Sequence, residues 1–192
     1  DVAINFSIPD SAYNNIMMAL ELKIPVVSGT TGWLKSYDRI KKYCFENNLS
    51  FLYSSNFSIG VNLFFKINQY LAKLMNNYKE YKVKIDETHN INKLDKPSGT
   101  AISIAEDIIS NSDYNNWKLS DINNSNNDIL INSIRKDDIP GTHKIKYSSE
   151  IDEIIISHIA NSREGFAFGA IIAAEWLINK KGVFNMNDVL DI

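Results

Sequence analysis

The chain has a single cysteine, Cys44, among 192 residues. That excludes an intramolecular disulfide frame and fits a reducing compartment, so the expected location is the cytoplasm. Cys44 itself reads as a half-buried helix residue. No apolar run approaches the roughly 18 to 20 residues of a membrane span. No signal-peptide pattern opens the residues. There is no lysine or arginine block, and the net charge of −3 comes from both signs spread along the chain. Neither nucleic acid nor a membrane surface is therefore an expected partner. Histidine is scarce as well. His89, His143 and His158 lie far apart in sequence, without metal-ligand spacing or a second ligand type beside them, and no metal is expected. Internal repeats are absent.

What is present is an alternation of short apolar runs and helical periods. VAINFS (2–7) reads as a buried strand, SAYNNIMMALELK as a helix through Ala12, Ile16, Ala19 and Leu20, and IPVVSG (24–29) as a second strand. A helix over about 35–47 carries Ile40, Tyr43 and Cys44, and LSFLYS (49–54) follows as a third strand. Strand, helix, strand, helix, strand is a doubly wound α/β layout with right-handed crossovers. The chain opens at Asp1 directly into a strand, so it reads as a piece of a longer protein.

The pattern then changes. Residues 59–77 form a long amphipathic helix with Val61, Phe64, Phe65, Ile67, Leu71 and Leu74 on its apolar side. YKVKIDETH (81–89) alternates as a half-buried strand, and a helix follows over about 100–110. Asparagine pairs recur, and the densest patch, NNWKLSDINNSNND (115–128), reads as a long surface loop. Three strands without intervening helices (129–136, 142–149, 152–160) predict a largely antiparallel or mixed second sheet. A strongly apolar helix (165–179) and a short one close the chain.

Four segments carry candidate chemistry. GTTGW (29–33) and SSNFSIG (54–60) each follow a strand of the first sheet, so both loops open on one rim, where doubly wound sheets place ligands. Each is either a ligand loop or an ordinary strand-to-helix turn. ETHNINKLDKPSGTA (87–101) offers a carboxylate, then His89 at a strand end, Lys93, and Pro97-Ser98-Gly99-Thr100 leading into a helix. Ser98 is a candidate N-cap, and free N–H groups with hydroxyls at a helix start can receive an anion. His89 has the chemistry of a general acid near neutral pH, and Lys93 that of a carboxylate-pairing cation. A capped loop with a structural histidine is the plainer reading. ANSREGFAFGA (160–170) places Arg163 and Phe166 at the entry to the apolar helix.

Taken in order, NFSIPDSA, PVVSGTTGW, SSNFSIGVNLFF, ETHNINKLDKPSGTA, IRKDDIPGTH and SHIANSREGFAFGA resemble the 4-hydroxy-tetrahydrodipicolinate (dihydrodipicolinate) reductases of lysine and diaminopimelate synthesis. The loops look most like the shorter Bacteroidetes branch. The resemblance implies an α/β fold: a truncated Rossmann-like nicotinamide domain (1–58), an α+β substrate-binding and tetramerisation domain with a mixed sheet (59–163), and C-terminal helices returning to the first domain (164–192). It implies NADH or NADPH as cofactor, a small dicarboxylate substrate and a homotetramer. By position it makes His89 the general acid/base and Lys93 a second proton donor or substrate cation. Asn90, Ser98, Gly99 and Thr100 match the substrate contacts. Gly29, Thr30, Thr31, Ser54, Ser55, Asn56, Phe57, Arg163 and Phe166 match the cofactor contacts.

Two departures stand out. The family usually has a second histidine where this chain has Asn90, which predicts weaker substrate binding with the reaction retained. The opening βαβ unit with its glycine-rich loop is not among these residues, and the residue that would choose between NADH and NADPH belongs to it. These residues alone are expected to bind cofactor poorly. A related two-domain amino-acid dehydrogenase and a non-catalytic module that kept the fold are the rival readings.

Overall fold

The computed structural model describes residues 1–120 and 127–192. In chain order the elements are β1 (Ala3–Asn5), α1 (Pro9–Glu21), β2 (Val26–Ser28), a 3-10 turn (Leu34–Ser36), α2 (Tyr37–Asn47), β3 (Ser50–Tyr53) and α3 (Ile59–Met75). There follow β4 (Lys82–His89), α4 (Gly99–Ser110), β5 (Asn116–Leu119), β6 (Asp128–Arg135), β7 (Gly141–Ser148) and β8 (Glu153–Ala160). The chain closes with α5 (Glu164–Leu177), β9 (Gly182–Phe184) and α6 (Met186–Leu190). They make two compact units: Asp1–Asn62 with Glu164–Ile192, and Leu63–Arg163.

The first unit holds a fully parallel sheet in the order β1-β2-β3-β9. Period-2 alternation sends neighbouring residues to opposite faces. Val26 and Phe51 face α1 and α2, packing on Ala12, Ile16, Leu20, Ile40 and Cys44. Val27 and Leu52 face the other way, onto Ala170, Ala173, Ala174 and Leu177 of α5 and Met186 of α6. Both faces are thus covered, which is why these strands read as continuous apolar runs. The fourth strand, β9, lies in a stretch expected only to hold a short helix. Gly182–Phe184 is too short to show a period, and its partner β3 comes from far back in the chain.

The second unit holds a mixed sheet in the order β5-β6-β4-β7-β8, parallel on the β5-β6-β4 side and antiparallel on the β4-β7-β8 side. Helices α3 and α4 cover one face, with Phe64, Ala72, Met75, Ile104 and Ile108 against Val83, Ile85, Ile129, Ile131 and Ile145. Two expectations need correction here. The asparagine-rich stretch is not loop throughout, because Asn116–Leu119 pairs in parallel with β6 and Trp117 packs against the core; residues 121–126 lie outside the described residues. The buried side of α3 is also rotated from the one expected. Val61, Phe64, Asn68, Ala72 and Met75 are buried, whereas Ile67 and Leu74 are 53% and 45% exposed. Asn68 earns its core position by donating Nδ2–H to the Ile104 carbonyl at 3.1 Å, which a hydropathy pattern does not register. Among the described residues, no helix is long and apolar enough to cross a membrane.

Gly169 sets how closely α5 approaches the loop after β3. A Cβ there would run into the Phe57 carbonyl oxygen and carbon. Gly169→Ala should therefore destabilise the protein by about 1–3 kcal/mol through overpacking, although alanine is the better helix former by about 1 kcal/mol. Urea titration of the variant checks the sign.

Candidate active site

The covered face of the mixed sheet changes character along its strands. Strand registers align Ile131, Ile85, Ile145 and Ile156 in one cross-strand row. The next row is Ser133, Glu87, His143 and His158. Beyond it His89 pairs with Arg135, and Gly141 with Ala160. The same alternation that buries Val83 and Ile85 therefore buries Glu87 and His89. The three histidines, remote in sequence, are brought onto one face, with the His89 and His143 ring centroids 4.9 Å apart.

Glu87 is fully buried and surrounded by donors. Its two oxygens accept the Ser98 backbone N–H at 3.0 and 3.2 Å. Oε1 also accepts the Ser133 hydroxyl and Arg135 Nη2–H, the latter at 3.3 Å. His89 Nδ1 lies 3.2 Å from Oε2, off the line of an aligned hydrogen bond, and His143 Nε2 lies 3.8 Å away. Burial works to raise the Glu87 pKa, but His89, Ser133 and Ser98 outweigh it and hold the carboxyl well below the ordinary range. His143 goes the other way. Burial pushes its pKa down to about 3, with His89 adding to the effect and Glu87 opposing it, so it is a neutral imidazole bonded to Ser98 Oγ at 3.3 Å.

The segment after β4 holds the remaining substrate candidates. Asn90 is spent on the turn: its Oδ1 accepts the Asn92 N–H at 2.9 Å and its carbonyl the Lys93 N–H at 3.0 Å. This Asx-type turn delivers Lys93 to the loop. Lys93 Nζ pairs with Asp95 Oδ1 at 2.8 Å. Partial burial works to raise the Asp95 pKa, and Lys93, with the Gly99 backbone N–H, brings it below the ordinary value. Ser98 is the N-cap of α4, accepting the Ala101 N–H at 3.1 Å. Gly99 is exposed and a Cβ on it would meet nothing within 4 Å. Among the described residues no packing requires a glycine there, so its missing side chain leaves the helix start sterically open. Thr100 is half-buried in the first turn.

In the parallel unit the loops after β1, β2 and β3 leave from one rim, since the strands pair in parallel. The Gly29 N–H donates to the Asn5 carbonyl at 3.0 Å and Thr30 Oγ1–H to the Ser7 carbonyl at 3.0 Å. Thr30 is thus occupied in holding the rim together, while Thr31 is exposed. A Cβ on Gly29 would collide with the Phe6 ring, so this glycine has an internal reason that Gly99 lacks. Ser54 Oγ–H donates to the Asn56 carbonyl at 2.7 Å, and Asn56 Oδ1 accepts the Ser58 N–H at 2.9 Å. Ser55 is exposed, but the Phe57 side chain is in the core, leaving only its backbone for a ligand. Arg163 is exposed and Phe166 half-buried at the start of α5.

Sequence reasoning assigned no role to Glu87, Ser133, Arg135, His143 or Asp95. The first four occupy alternating positions of predicted strands on the side of the aliphatic core, and a charged or polar residue in such a position was the available signal. Ligand atoms of Glu87, His89 and His143 lie within 4.8 Å of one another, close enough to surround a metal ion. Arg135 already supplies the positive charge to Glu87, so a cation there would meet a guanidinium.

A parallel doubly wound unit joined to a mixed-sheet unit bearing a histidine, a lysine and an open helix start defines a Rossmann-type two-domain enzyme class. The chain belongs to the dihydrodipicolinate reductase family: the N-terminal family model matches residues 1–57 and the C-terminal one residues 60–190. It is 48% identical over 191 residues to 4-hydroxy-tetrahydrodipicolinate reductase of Christiangramia forsetii, covering 99% of this chain and 79% of that protein. It is 38% identical to the enzyme of that name from Buchnera aphidicola, covering 99% and 72%. Among solved structures it resembles a dipicolinate-bound dihydrodipicolinate reductase from Paenisporosarcina, with a TM-score of 0.75 and 22% identity over 98% of this chain and 73% of that one.

The neutral, buried His143 predicts a pH effect on stability. Its folded pKa lies below the unfolded value, so the unfolded chain binds more protons between about pH 6.5 and 3, and stability falls as pH falls through that window. The slope attributable to His143 is about 1.4 kcal/mol per pH unit. His143→Gln should flatten this acid limb in urea titrations run across the window.

Proposed function

We propose that this protein reduces 4-hydroxy-tetrahydrodipicolinate to tetrahydrodipicolinate with NADH or NADPH, in the route to diaminopimelate and lysine. The observation that carries the reading is the polar end of the mixed sheet: His89, Lys93 and the open start of α4 stand together on one short segment. The dinucleotide supplies the hydride when bound. The rim of the parallel unit fits it: three strand ends converge there, with Thr31 and Ser55 exposed. Gly29, Thr30, Thr31, Ser54, Ser55, Asn56 and the Phe57 backbone would hold it, with Arg163 and Phe166.

On the substrate side, Gly99, Thr100 and the Ser98 cap receive one carboxylate at the helix start. Lys93 exchanges Asp95 for a substrate carboxylate and brings its proton with it. His89 finishes the reduction by handing over a proton from Nε2, beside which Gly141 leaves space: a Cβ there would lie 3.2 Å from the ring. Asn90 keeps the turn and offers an amide where a second histidine would offer charge. The open face of the mixed sheet, with Ile134, Ile155 and Ile159 43%, 45% and 63% exposed, is the face on which subunits pack into a homotetramer. The enzyme works in the cytoplasm.

Nicotinamide absorbance, followed with substrate generated in situ by the synthase, tests the activity. His89→Gln should lower kcat by about 10²–10⁴-fold with a small change in KM, whereas Lys93→Met should raise KM strongly. Asn90→His should lower KM. Turnover of an amino acid instead, or cofactor binding without turnover, would favour the rival readings.

A further inference from the structure

The proposed reduction requires a proton donor and a carboxylate cradle at a fixed separation. We propose that the Glu87–Arg135 pair is the positioning device that sets it, with Glu87 fixing both the His89 ring and the Ser98 turn, and Arg135 fixing the loop that carries Lys93. This inference rests on the reductase reading above.

The geometry is specific. Glu87 touches both sides of the site, reaching the Ser98 N–H through both oxygens and His89 Nδ1 through one. Arg135 ties the loop down: Nε–H donates to the Lys93 carbonyl at 3.3 Å and Nη2–H to the Asp95 carbonyl. The backbone joins in, with the Lys136 N–H donating to the His89 carbonyl at 2.9 Å. Stability alone does not call for this arrangement. One row back, the same four strands present Ile131, Ile85, Ile145 and Ile156, and an aliphatic row avoids the desolvation cost of buried charge. The polar row around Glu87 therefore reads as kept for its contacts.

The chemistry gives Glu87 a definite effect on the ring. Held ionised by its donors, the carboxylate presents only acceptors to His89. The nitrogen that faces it, Nδ1, carries hydrogen, and Nε2 beside Gly141 is left to exchange a proton with substrate. The other charged or titratable groups around this pair are Arg135 from β6, His143 from β7 with His158 beyond it, and Lys93 and Asp95 from the loop.

The test is Glu87→Gln, which keeps the shape and removes the charge, with Glu87→Asp as the charge-retaining control. Imidazole ¹⁵N spectra are tractable because the chain has three histidines. The expected result is loss of the Nδ1–H signature of His89 in Glu87→Gln, a kcat about 10–100-fold lower, and weaker dipicolinate binding by calorimetry. Glu87→Asp should keep the tautomer and recover part of the rate. Arg135→Lys should weaken dipicolinate binding and raise KM with the His89 tautomer unchanged. A Glu87→Gln protein that melts earlier but keeps the tautomer and kcat per folded molecule would overturn the proposal. If that variant does not fold, Glu87→Asp decides: its shortened carboxylate keeps the charge beside the ring but draws back from the Ser98 N–H, and wild-type kcat and dipicolinate affinity would overturn the proposal equally. Tautomer and dipicolinate binding need no turnover, so an inactive wild type would sink the reductase reading while leaving these readouts interpretable.

Discussion

The second unit is organised around one buried carboxylate. Glu87 sits at a position that strand alternation assigns to the core, and donors converge on it: Ser133 and Arg135 from β6 and Ser98 from the start of α4, with His89 Nδ1 of its own strand 3.2 Å away. A buried charge without such partners would be ruinous, and with them it is held ionised. The rest of the site follows from that constraint. The Ser98 turn cannot move without breaking bonds to Glu87, so the N-terminus of α4 is fixed over the sheet. The His89 ring cannot rotate freely beside an acceptor-only group. The loop between them is closed by the guanidinium that balances the charge.

Much of this was legible in residue types and spacing. The strand VVS, the cap at Ser98 and the alternation of 81–89 follow from periodicity and turn chemistry, which act locally. What was not legible depends on partners distant in sequence. β9 is three residues whose only argument for being a strand is β3. β5 is a strand because β6 lies alongside, in a stretch whose asparagines point to a loop. Asn68 is a core residue because a carbonyl of α4 waits for it. The histidines are neighbours because β4, β7 and β8 pair in a particular register, and no spacing within the chain encodes that.

The same contrast separates the candidate contacts of the parallel unit. Glycine and hydroxyl residues in a loop after a strand suggest a ligand, but several are already committed inside the protein. Thr30 bonds to Ser7, Ser54 to Asn56, and Gly29 makes room for Phe6. Such residues shape the rim, whereas Thr31 and Ser55 are exposed on it. Gly99 shows the opposite case. Among the described residues a Cβ on it has nothing to collide with, and it has no unusual backbone angle to satisfy, so no internal contact accounts for it.

Charge in this site is divided by burial into two kinds. Glu87 and Arg135 are enclosed, their side chains 0% and 14% exposed, and exchanging partners would strand a charge away from water. Lys93 and Asp95 are 31% and 53% exposed, and a pair so open to solvent contributes only about 0–1 kcal/mol. Breaking it costs little, because water can replace Asp95. Under the proposed reaction this inequality has a use: the enclosed pair would set the geometry, and the exposed pair would yield to a dicarboxylate. Asn90 fits the same logic. It lies between the two regimes, and by spending its oxygen on the turn it fixes where Lys93 starts without adding a charge that would compete for either partner.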